Sequence, residues 1–310
     1  MAMPYAVAER AQNGERRYIN FEADEVRQKL NQQWFTVTHQ LASHPLFTLP
    51  RLIELARTTA EKRPQFMHFD VGAKSVGQRW DETPSGQWPV DETIRRIENA
   101  GAWIVIRRAN LDADYGELLN DCMQELLSNA DPELERQIKL REVIVFITSP
   151  NRLSTYHIDR ECNFLLQISG EKMIYVFDRN DREILPETEI ERFWTVDHNA
   201  AVYKPQYQDR AYPFLLKPGN GIHIPINCPH WLQNGDNISI SLSVNFQFRE
   251  SVVGNLYRAN HFLRRMGVTP SSPGASPARD AIKNGVFTSI KSIIDATPNG
   301  LKDGVKRILR

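Results

Sequence analysis

The chain has few cysteines and no surplus of charge of either sign. Its 310 residues include three cysteines, Cys122, Cys162 and Cys228, and these do not share a metal-binding spacing. So few cysteines exclude a fold held together by disulfides and are typical of a reducing compartment. Lys plus Arg and Asp plus Glu both number 38, and no long basic block occurs. We therefore expect no nucleic-acid partner, because the positive footprint of such proteins is missing.

Long apolar runs are also missing. No segment approaches the roughly 18 unbroken apolar residues that a membrane-spanning helix needs. Within the first twenty residues, where a signal peptide would have an apolar core, the chain carries charged residues at Glu9, Arg10, Glu15, Arg16 and Arg17. The sequence therefore predicts a cytoplasmic protein without a membrane partner. Its hydrophobic content of 41% is enough for a sizeable core.

The most informative motif is a His-x-Asp pair, His157 and Asp159, followed much later by His230. The pair lies in a stretch of β-branched and aromatic residues, where side chains two apart project from the same face of a strand. A lone pair of this kind is more often a polar strand edge or a core histidine. Two imidazoles and one carboxylate, however, are the set that suits non-haem Fe(II) and leaves coordination positions open. We predict that His157, Asp159 and His230 bind one metal ion.

The segments around these residues have the pattern of short β-strands. Residues 163–177 read as a strand, a turn at Gly170 and a second strand, and residues 238–248 alternate apolar residues with Ser and Asn. A Pro-Gly turn signal at Pro218 and Gly219 precedes the segment that leads to His230. The sequence therefore predicts a mainly β fold, a double-stranded β-helix or jelly roll of the cupin and JmjC kind, with flanking helices.

A lysine stands on the second strand of that hairpin. Lys172 is surrounded in sequence by Met173, Ile174, Val176 and Phe177. An inward-facing ammonium would require an anionic ligand, because an unpartnered buried charge is costly. Strand alternation alone leaves open whether Lys172 faces the interior or the solvent. With the metal motif beside it, we favour ligand binding.

Between Val143 and Phe248 the chain resembles the JmjC and cupin-like branch of the Fe(II)/2-oxoglutarate oxygenases, which includes the asparaginyl hydroxylase acting on hypoxia-inducible factor. In that family the first histidine and the acid come from a His-x-Asp strand, and the second histidine follows an Ile-Pro turn. These positions match His157, Asp159 and His230. The resemblance therefore implies Fe(II) as the metal and 2-oxoglutarate as the co-substrate.

The same resemblance implies four residues that bind the co-substrate. Lys172 matches the lysine that pairs with the distal carboxylate of 2-oxoglutarate, and Ser154 matches a hydroxyl that shares this carboxylate. Asn163 and Asn245 fall where relatives of the asparaginyl hydroxylase have polar contacts to the co-substrate. We expect neither His198 nor His223 to be a metal ligand. Neither stands in a sequence pattern like those of the three candidate ligands His157, Asp159 and His230.

The resemblance implies a hydroxylase that acts on a C–H bond of a small molecule, an amino-acid derivative or a peptide side chain. One alternative is a non-catalytic cupin-like metal-binding or regulatory protein, which kept the barrel and the metal. A weaker alternative is a cupin isomerase or a dioxygenase that needs no oxo acid. Lys172 would have no evident role in that third class.

Three regions are expected along the chain. Residues 1–100 are predicted to be a mostly helical region packed on the barrel, 101–250 the jelly-roll catalytic domain, and 251–310 a helical extension. Helix-forming composition or helical spacing of apolar residues predicts the following helices: 22–34, 49–62, 91–100 with Asp91 as its cap, 115–127 and 252–266. Residues 69–88, rich in Gly and Trp, read as a long loop, either a lid over the barrel mouth or an ordinary surface excursion.

An apolar stripe lies near the C-terminus, at Phe287, Ile290, Ile293 and Ile294. Intramolecular packing is the default explanation of such a stripe. Because some members of the family dimerise through helices that follow the barrel, the resemblance also implies a homodimer through the C-terminal helices.

Overall fold

In the computed structural model of this chain, residues 17–72, 75–248 and 252–296 are described, with the backbone alone for residues 140 and 290–296. Twelve strands occur in these residues: β1 (Ile19–Asn20), β2 (Phe35–His39), β3 (Met67–Val71), β4 (Ala102–Ile106), β5 (Ile138–Thr148), β6 (Leu153–His157), β7 (Cys162–Ser169), β8 (Lys172–Val176), β9 (Tyr212–Leu216), β10 (Asn220–Ile224), β11 (His230–Asn234) and β12 (Ser239–Phe248). The α-helices are α1 (Ala23–Lys29), α2 (Leu49–Lys62), α3 (Val90–Arg95), α4 (Ala113–Asn129), α5 (Leu134–Gln137), α6 (Glu187–Thr195), α7 (Val252–Arg265) and α8 (Pro277–Ala296).

The strands form two antiparallel sheets. The larger sheet has the order β1-β2-β10-β7-β12-β5-β4-β3, and the smaller one has the order β6-β11-β8-β9. Strand neighbours in both sheets come mostly from distant parts of the chain, as in a jelly roll. The predicted fold class, a mainly β double-stranded β-helix with flanking helices, is confirmed by this arrangement.

The larger sheet separates two unlike environments. On β12, Leu242, Val244 and Phe246 belong to the main hydrophobic core, which also contains the buried faces of α2 and α4. Ser243 and Asn245 alternate with them and point to the opposite face, because successive side chains of a strand alternate. The mixed apolar and polar pattern of residues 238–248 therefore reflects one face that packs on helices and one that faces the smaller sheet.

A smaller apolar cluster fills part of the space between the two sheets. It is formed by residues of both sheets and by one residue of the turn before β11: Leu165, Ile174, Val176, Leu216, Ile222, Ile224, Leu232 and, in the turn, Cys228. At Gly221, where β10 runs between β2 and β7, an added Cβ would lie 2.6 Å from Leu166 Cδ2 and 2.9 Å from Val37 Cγ2. A glycine is therefore needed for β2, β10 and β7 to pack side by side at this point.

The N-terminal region contributes strands as well as helices. Strands β1 and β2 form one edge of the larger sheet and β3 forms the other. The expectation of a mostly helical region missed these strands, although Phe35–His39 alternates buried and exposed residues as a strand does.

The helix predicted at 22–34 is shorter, since α1 ends at Lys29, and Asn31 then adopts a left-handed conformation with φ 53°. Helix α3, predicted over 91–100 with Asp91 as its cap, runs instead from Val90 to Arg95 with Pro89 as its N-cap.

The C-terminal helices pack against the barrel through α6. Arg264 Nε and Nη2 donate to the two carboxylate oxygens of the buried Glu191 at 2.9 and 3.0 Å, and Arg258 Nε donates to the Trp194 carbonyl at 3.0 Å. Of the predicted apolar stripe, the side chain of Phe287 is described and lies near the guanidinium of Arg258. The side chains of Ile290, Ile293 and Ile294 lie outside the described residues.

Among the helices that can be described, none is both long and apolar enough to cross a membrane.

Candidate metal centre

The three predicted metal ligands lie together at one end of the smaller sheet. His157 is the last residue of β6, His230 is the first residue of β11, and the two are paired across the strands. Their rings are 4.2 Å apart between centroids, and His230 Nε2 is 3.8 Å from Asp159 Oδ2. One ligand atom from each of the three residues falls within 4.8 Å of the others. This separation allows all three to contact a single ion.

Backbone carbonyls orient both imidazoles. Nδ1 of His157 lies 2.6 Å from the Thr155 carbonyl oxygen, and Nδ1 of His230 lies 3.0 Å from the Cys228 carbonyl oxygen. A carbonyl oxygen can only accept, so each Nδ1 carries the proton and donates it. Nε2 of each ring is then the nitrogen with a free lone pair, as a metal ligand requires.

The charge state of His230 also suits a metal ligand. Burial first, and the neighbouring His157 second, lower the pKa of His230 to about 4, although Asp159 acts in the opposite direction. The imidazole is therefore neutral at pH 7. Neutral histidine is the form that binds metal ions.

A tight turn before β11 connects the acid to the second histidine. Asn227 has a left-handed conformation with φ 58°, and its backbone N–H donates to the Asp159 carbonyl at 2.9 Å. Its side-chain oxygen accepts a hydrogen bond from Trp194 Nε1 at 2.9 Å. The Ile-Pro segment ahead of His230 is thereby held against Asp159, which brings two distant parts of the chain to one site.

A cavity of about 730 Å³ extends from this site into the space between the sheets. Its volume falls in the range of small-molecule sites. The predicted co-substrate residues all line it, together with the three candidate ligands: Ser154, Asn163, Lys172 and Asn245.

Lys172 points into this cavity and is buried. It shares a face of β8 with Ile174 and Val176, which belong to the apolar cluster between the sheets, and it is only 5% exposed. Among the described residues its ammonium has no hydrogen-bond or ion-pair partner, and burial lowers its pKa to about 7. The orientation that strand alternation left open is thus the inward one.

Three polar residues form a row across the inner face of the larger sheet. Asn163 on β7 is paired with Asn245 on β12, which is paired in turn with Glu142 on β5. Each has one buried polar atom without a hydrogen-bond partner among the described residues, namely Asn163 Oδ1, Asn245 Nδ2 and Glu142 Oε2. Such atoms are rare in folded proteins, and those of Asn163 and Asn245 belong to residues that line the cavity, which indicates that it is suited to a polar ligand.

The two spare histidines are not part of the three-ligand group. His198 lines the large cavity, whereas His223 points away from it and lies beside Phe35 and Phe164. His223 Nδ1 donates to the Asn163 carbonyl at 2.9 Å, and its Nε2 accepts from the Asn31 backbone at 3.0 Å. Burial lowers its pKa to about 3, so it serves as a neutral structural histidine.

Several cavity residues were not predicted from the sequence. Glu161 accepts a hydrogen bond from Gln247 Nε2 at 2.6 Å, and burial, with a smaller effect of Asp159, raises its pKa. The guanidinium of Arg160 lies over the rings of Phe193 and Trp194. Gln247 could have been found, because it continues the inward alternation of Ser243 and Asn245. Arg160 and Glu161 follow Asp159 in an irregular segment, where no periodic signal exists.

The long loop predicted at 69–88 reaches the cavity. Asp70, Trp80 and Thr83 line it, and Asp70 forms a buried ion pair with Arg152. Part of the segment is strand β3, and residues 73 and 74 lie outside the described residues. Residues of this loop therefore line the cavity, and its function as a lid stays a prediction.

No family model matches the chain, and no curated protein does either. Among solved structures it is similar to ycfD of E. coli, with a TM-score of 0.48 and 12% identity over 91% of this chain and 70% of that one. It is also similar to the Escherichia coli ribosomal oxygenase YcfD in complex with cobalt and 2-oxoglutarate, with a TM-score of 0.46 and 14% identity over 88% and 66% of the two chains. At this level of identity and TM-score, the likeness says nothing about what this chain binds.

Proposed function

We propose that this protein is an Fe(II)- and 2-oxoglutarate-dependent oxygenase that hydroxylates a C–H bond. One observation carries the proposal: a buried lysine without an anionic partner lines the same cavity as a two-histidine, one-carboxylate group. A metal-binding cupin without an oxo acid would have no use for this charge. A dicarboxylic co-substrate supplies the missing partner.

The donor set fits ferrous iron. His157, Asp159 and His230 supply two neutral nitrogens and one carboxylate from one side, which leaves the other coordination positions to ligands from the cavity. The fixed Nδ1–H donors keep both imidazoles in the tautomer that iron requires. The iron, when bound, would activate dioxygen. Oxidation of 2-oxoglutarate to succinate and carbon dioxide would supply two of the four electrons that dioxygen takes up, and the C–H bond of the substrate would supply the other two.

The cavity also fits 2-oxoglutarate. Lys172 would bind its distal carboxylate in a low-dielectric environment, where the ion pair is strong. Ser154 would add a hydroxyl donor to the same carboxylate. Asn245 Nδ2 is a further donor without a partner among the described residues, and Asn163 Oδ1 is an acceptor. These side chains would hold the co-substrate in one orientation and exclude water from the iron.

The substrate is proposed to be a small molecule, an amino-acid derivative or a peptide side chain. A peptide substrate fits the aromatic and polar residues around the cavity. Trp103, Phe146 and Phe193 offer apolar faces, while Glu161 and Gln247 offer polar groups. A mixed lining of this kind suits a side chain with an apolar stem and a polar end.

A spectroscopic titration tests this proposal. Anaerobic addition of Fe(II) and then 2-oxoglutarate to the purified protein should produce a weak visible charge-transfer band. Admission of air should then release succinate, because turnover without the true substrate is slow but measurable. A protein that binds Fe(II) but shows neither the band nor succinate would be a non-catalytic metal-binding cupin, and the proposal would be wrong.

Asp159→Ala is the matching variant for the metal site. It removes the only carboxylate of the three-ligand group, so the band and the succinate should both be lost. Asp236→Ala, which removes an exposed carboxylate on the turn between β11 and β12, is the control and should behave as the wild type. An unchanged band in Asp159→Ala would contradict the assignment of ligands.

A further inference from the structure

A second, smaller cavity lies at the edge of the larger sheet, away from the three candidate metal ligands. It has a volume of about 210 Å³ and is formed by the end of α2, the turn Pro64–Phe66 and the connection between β4 and α4. Four cationic side chains line it: Lys62, Arg63, Arg107 and Arg108. In a chain whose formal net charge is zero, this is a strong local excess of positive charge.

Acidic residues do not neutralise these cations. Asp112 is the single carboxylate of the lining, and it is held by Arg51 Nη2 at 2.6 Å while it caps the first turn of α4. Within the described part of the chain, Lys62, Arg63 and Arg108 form no ion pair. Arg107 has one acidic contact, with Glu142 Oε1 at 3.3 Å, and its side chain is half exposed. Three of the four cations therefore have no acidic partner among the described residues.

Arg108 is held in an unusual conformation. Its backbone is left-handed, with φ 48° and ψ 40°, a region that residues other than glycine rarely occupy. Its guanidinium carbon lies 5.0 Å from the centre of the Phe66 ring. Stacking on a ring fixes the plane of the guanidinium and leaves its N–H groups at the edge free to bind an oxyanion. Backbone strain of this kind is often found at binding sites.

The negative end of the α2 dipole offers another explanation for two of the cations. Lys62 and Arg63 stand at the C-terminal end of α2, where positive side chains are favoured in any helix. This explanation does not account for Arg107 and Arg108, which come from a different segment and line the same cavity. The hydroxyl-bearing residues Thr58 and Thr59 also line it and add neutral donors.

We infer that this cavity binds a phosphate group, either free phosphate or the phosphate of a small monoester. Several guanidinium and ammonium donors around a small space are the usual recognition of a multiply charged oxyanion. The volume is below that of drug-sized sites, so a phosphate with a short organic part fits. Leu55, Phe66 and Leu111 provide apolar lining for that organic part.

The test is isothermal titration of the full chain with inorganic phosphate and, separately, with glycerol phosphate at constant ionic strength. Saturable binding with a dissociation constant of about 1 mM or tighter is expected. Stronger binding of glycerol phosphate would identify a monoester as the ligand, and equal binding would identify free phosphate. The absence of binding, or an affinity that depends on ionic strength alone, would overturn the inference.

Variants make the test specific. Arg108→Gln and Lys62→Gln should each weaken phosphate binding about tenfold or more, because each removes a charged donor. Arg57→Gln is the matched control, since Arg57 lies on α2 outside the cavity and is 58% exposed. Equal affinity in Arg108→Gln and the wild type would contradict the inference. Asp159→Ala should bind phosphate normally, so failure of the oxygenase proposal and failure of this one are distinguishable.

Discussion

At the scale of single residues, Lys172 combines a cost in stability with a proposed role in binding. Its ammonium is buried in the cavity, and burial lowers its pKa to about 7 from an ordinary value of 10.5. Between these two pH values the unfolded chain binds one more proton than the folded chain at this position. The free energy of unfolding of the ligand-free protein therefore rises with pH across this window. The cost in stability that Lys172 causes is greatest below about pH 7, where its buried side chain is charged.

Lys172→Met should stabilise the ligand-free protein and abolish co-substrate binding. A methionine fills the space without a charge, so we expect a gain on the order of a few kcal/mol near pH 6.5, which shrinks towards about pH 9.5. Denaturant unfolding at both pH values measures the gain, and the anaerobic band measures 2-oxoglutarate binding. Lys217→Met, a substitution of an exposed lysine, should change neither. A Lys172→Met protein that is less stable than the wild type at both pH values would show that the lysine has a partner in the ligand-free state.

At the scale of secondary-structure elements, the hairpin of β7 and β8 places Lys172 in the cavity. Gly170 forms its turn with φ 71°, and an added Cβ there would overlap the carbonyl oxygen of Ile238. The turn is tied to the β11–β12 connection, because Asn237 Oδ1 accepts from the Glu171 backbone at 2.9 Å. The position of the lysine thus depends on a close approach of two hairpins.

Gly170→Ala should destabilise the protein more than Gly101→Ala. Both glycines have a positive φ, which costs a substituted residue about 1 kcal/mol, but Gly101 has no atom within 4 Å of an added Cβ. Gly170→Ala adds a steric clash with backbone, so we expect a loss of about 2 kcal/mol or more. Denaturant unfolding of both variants measures the difference. Equal losses in the free energy of unfolding would show that the two hairpins can move apart without destabilising the protein.

At the scale of the whole molecule, a metal ion held by both β6 and β11 should stabilise the fold. Because the ligands come together only in the folded chain, saturation at about 100 times the dissociation constant contributes about 2.7 kcal/mol. Thermal unfolding with Fe(II) under anaerobic conditions should therefore shift upwards by several degrees. Asp159→Ala should show little shift, whereas Asp236→Ala should match the wild type. A full shift in Asp159→Ala would place the bound metal elsewhere.

A homodimer through the C-terminal helices stays a prediction, and the exposed apolar residues of α8 provide its test. Ile282 is 66% exposed and Val286 is 55% exposed. Ile282→Glu should halve the particle mass in light scattering, while Arg279→Glu, a charge reversal on the same helix, should not. Truncation before α7 would be a poorer test, because it leaves the buried Glu191 without Arg264. A wild-type protein that is monomeric would show that the prediction of a homodimer is wrong.

Much of the candidate metal site could be predicted from residue types and spacing. A His-x-Asp pair on a strand and a histidine after an Ile-Pro turn are local patterns, and the chemistry of these side chains selects the metal. The strands around them were predictable for the same reason, because alternation of apolar and polar residues is a local signal. The strands β1 to β3 were missed because they are short and lie among helical segments, where sheet pairing with distant strands outweighs local preference.

What the sequence determined by itself is which groups are available: three candidate metal ligands, a lysine on an apolar strand and a jelly-roll pattern. Tertiary structure alone decided which way Lys172 points and that Asn163, Asn245 and Glu142 form one row. It also brought Arg160 and Glu161 to the cavity and placed Arg107 and Arg108 beside the end of α2. The physical reason is that side-chain chemistry is local, whereas burial and pairing arise from packing between segments that are far apart in the chain.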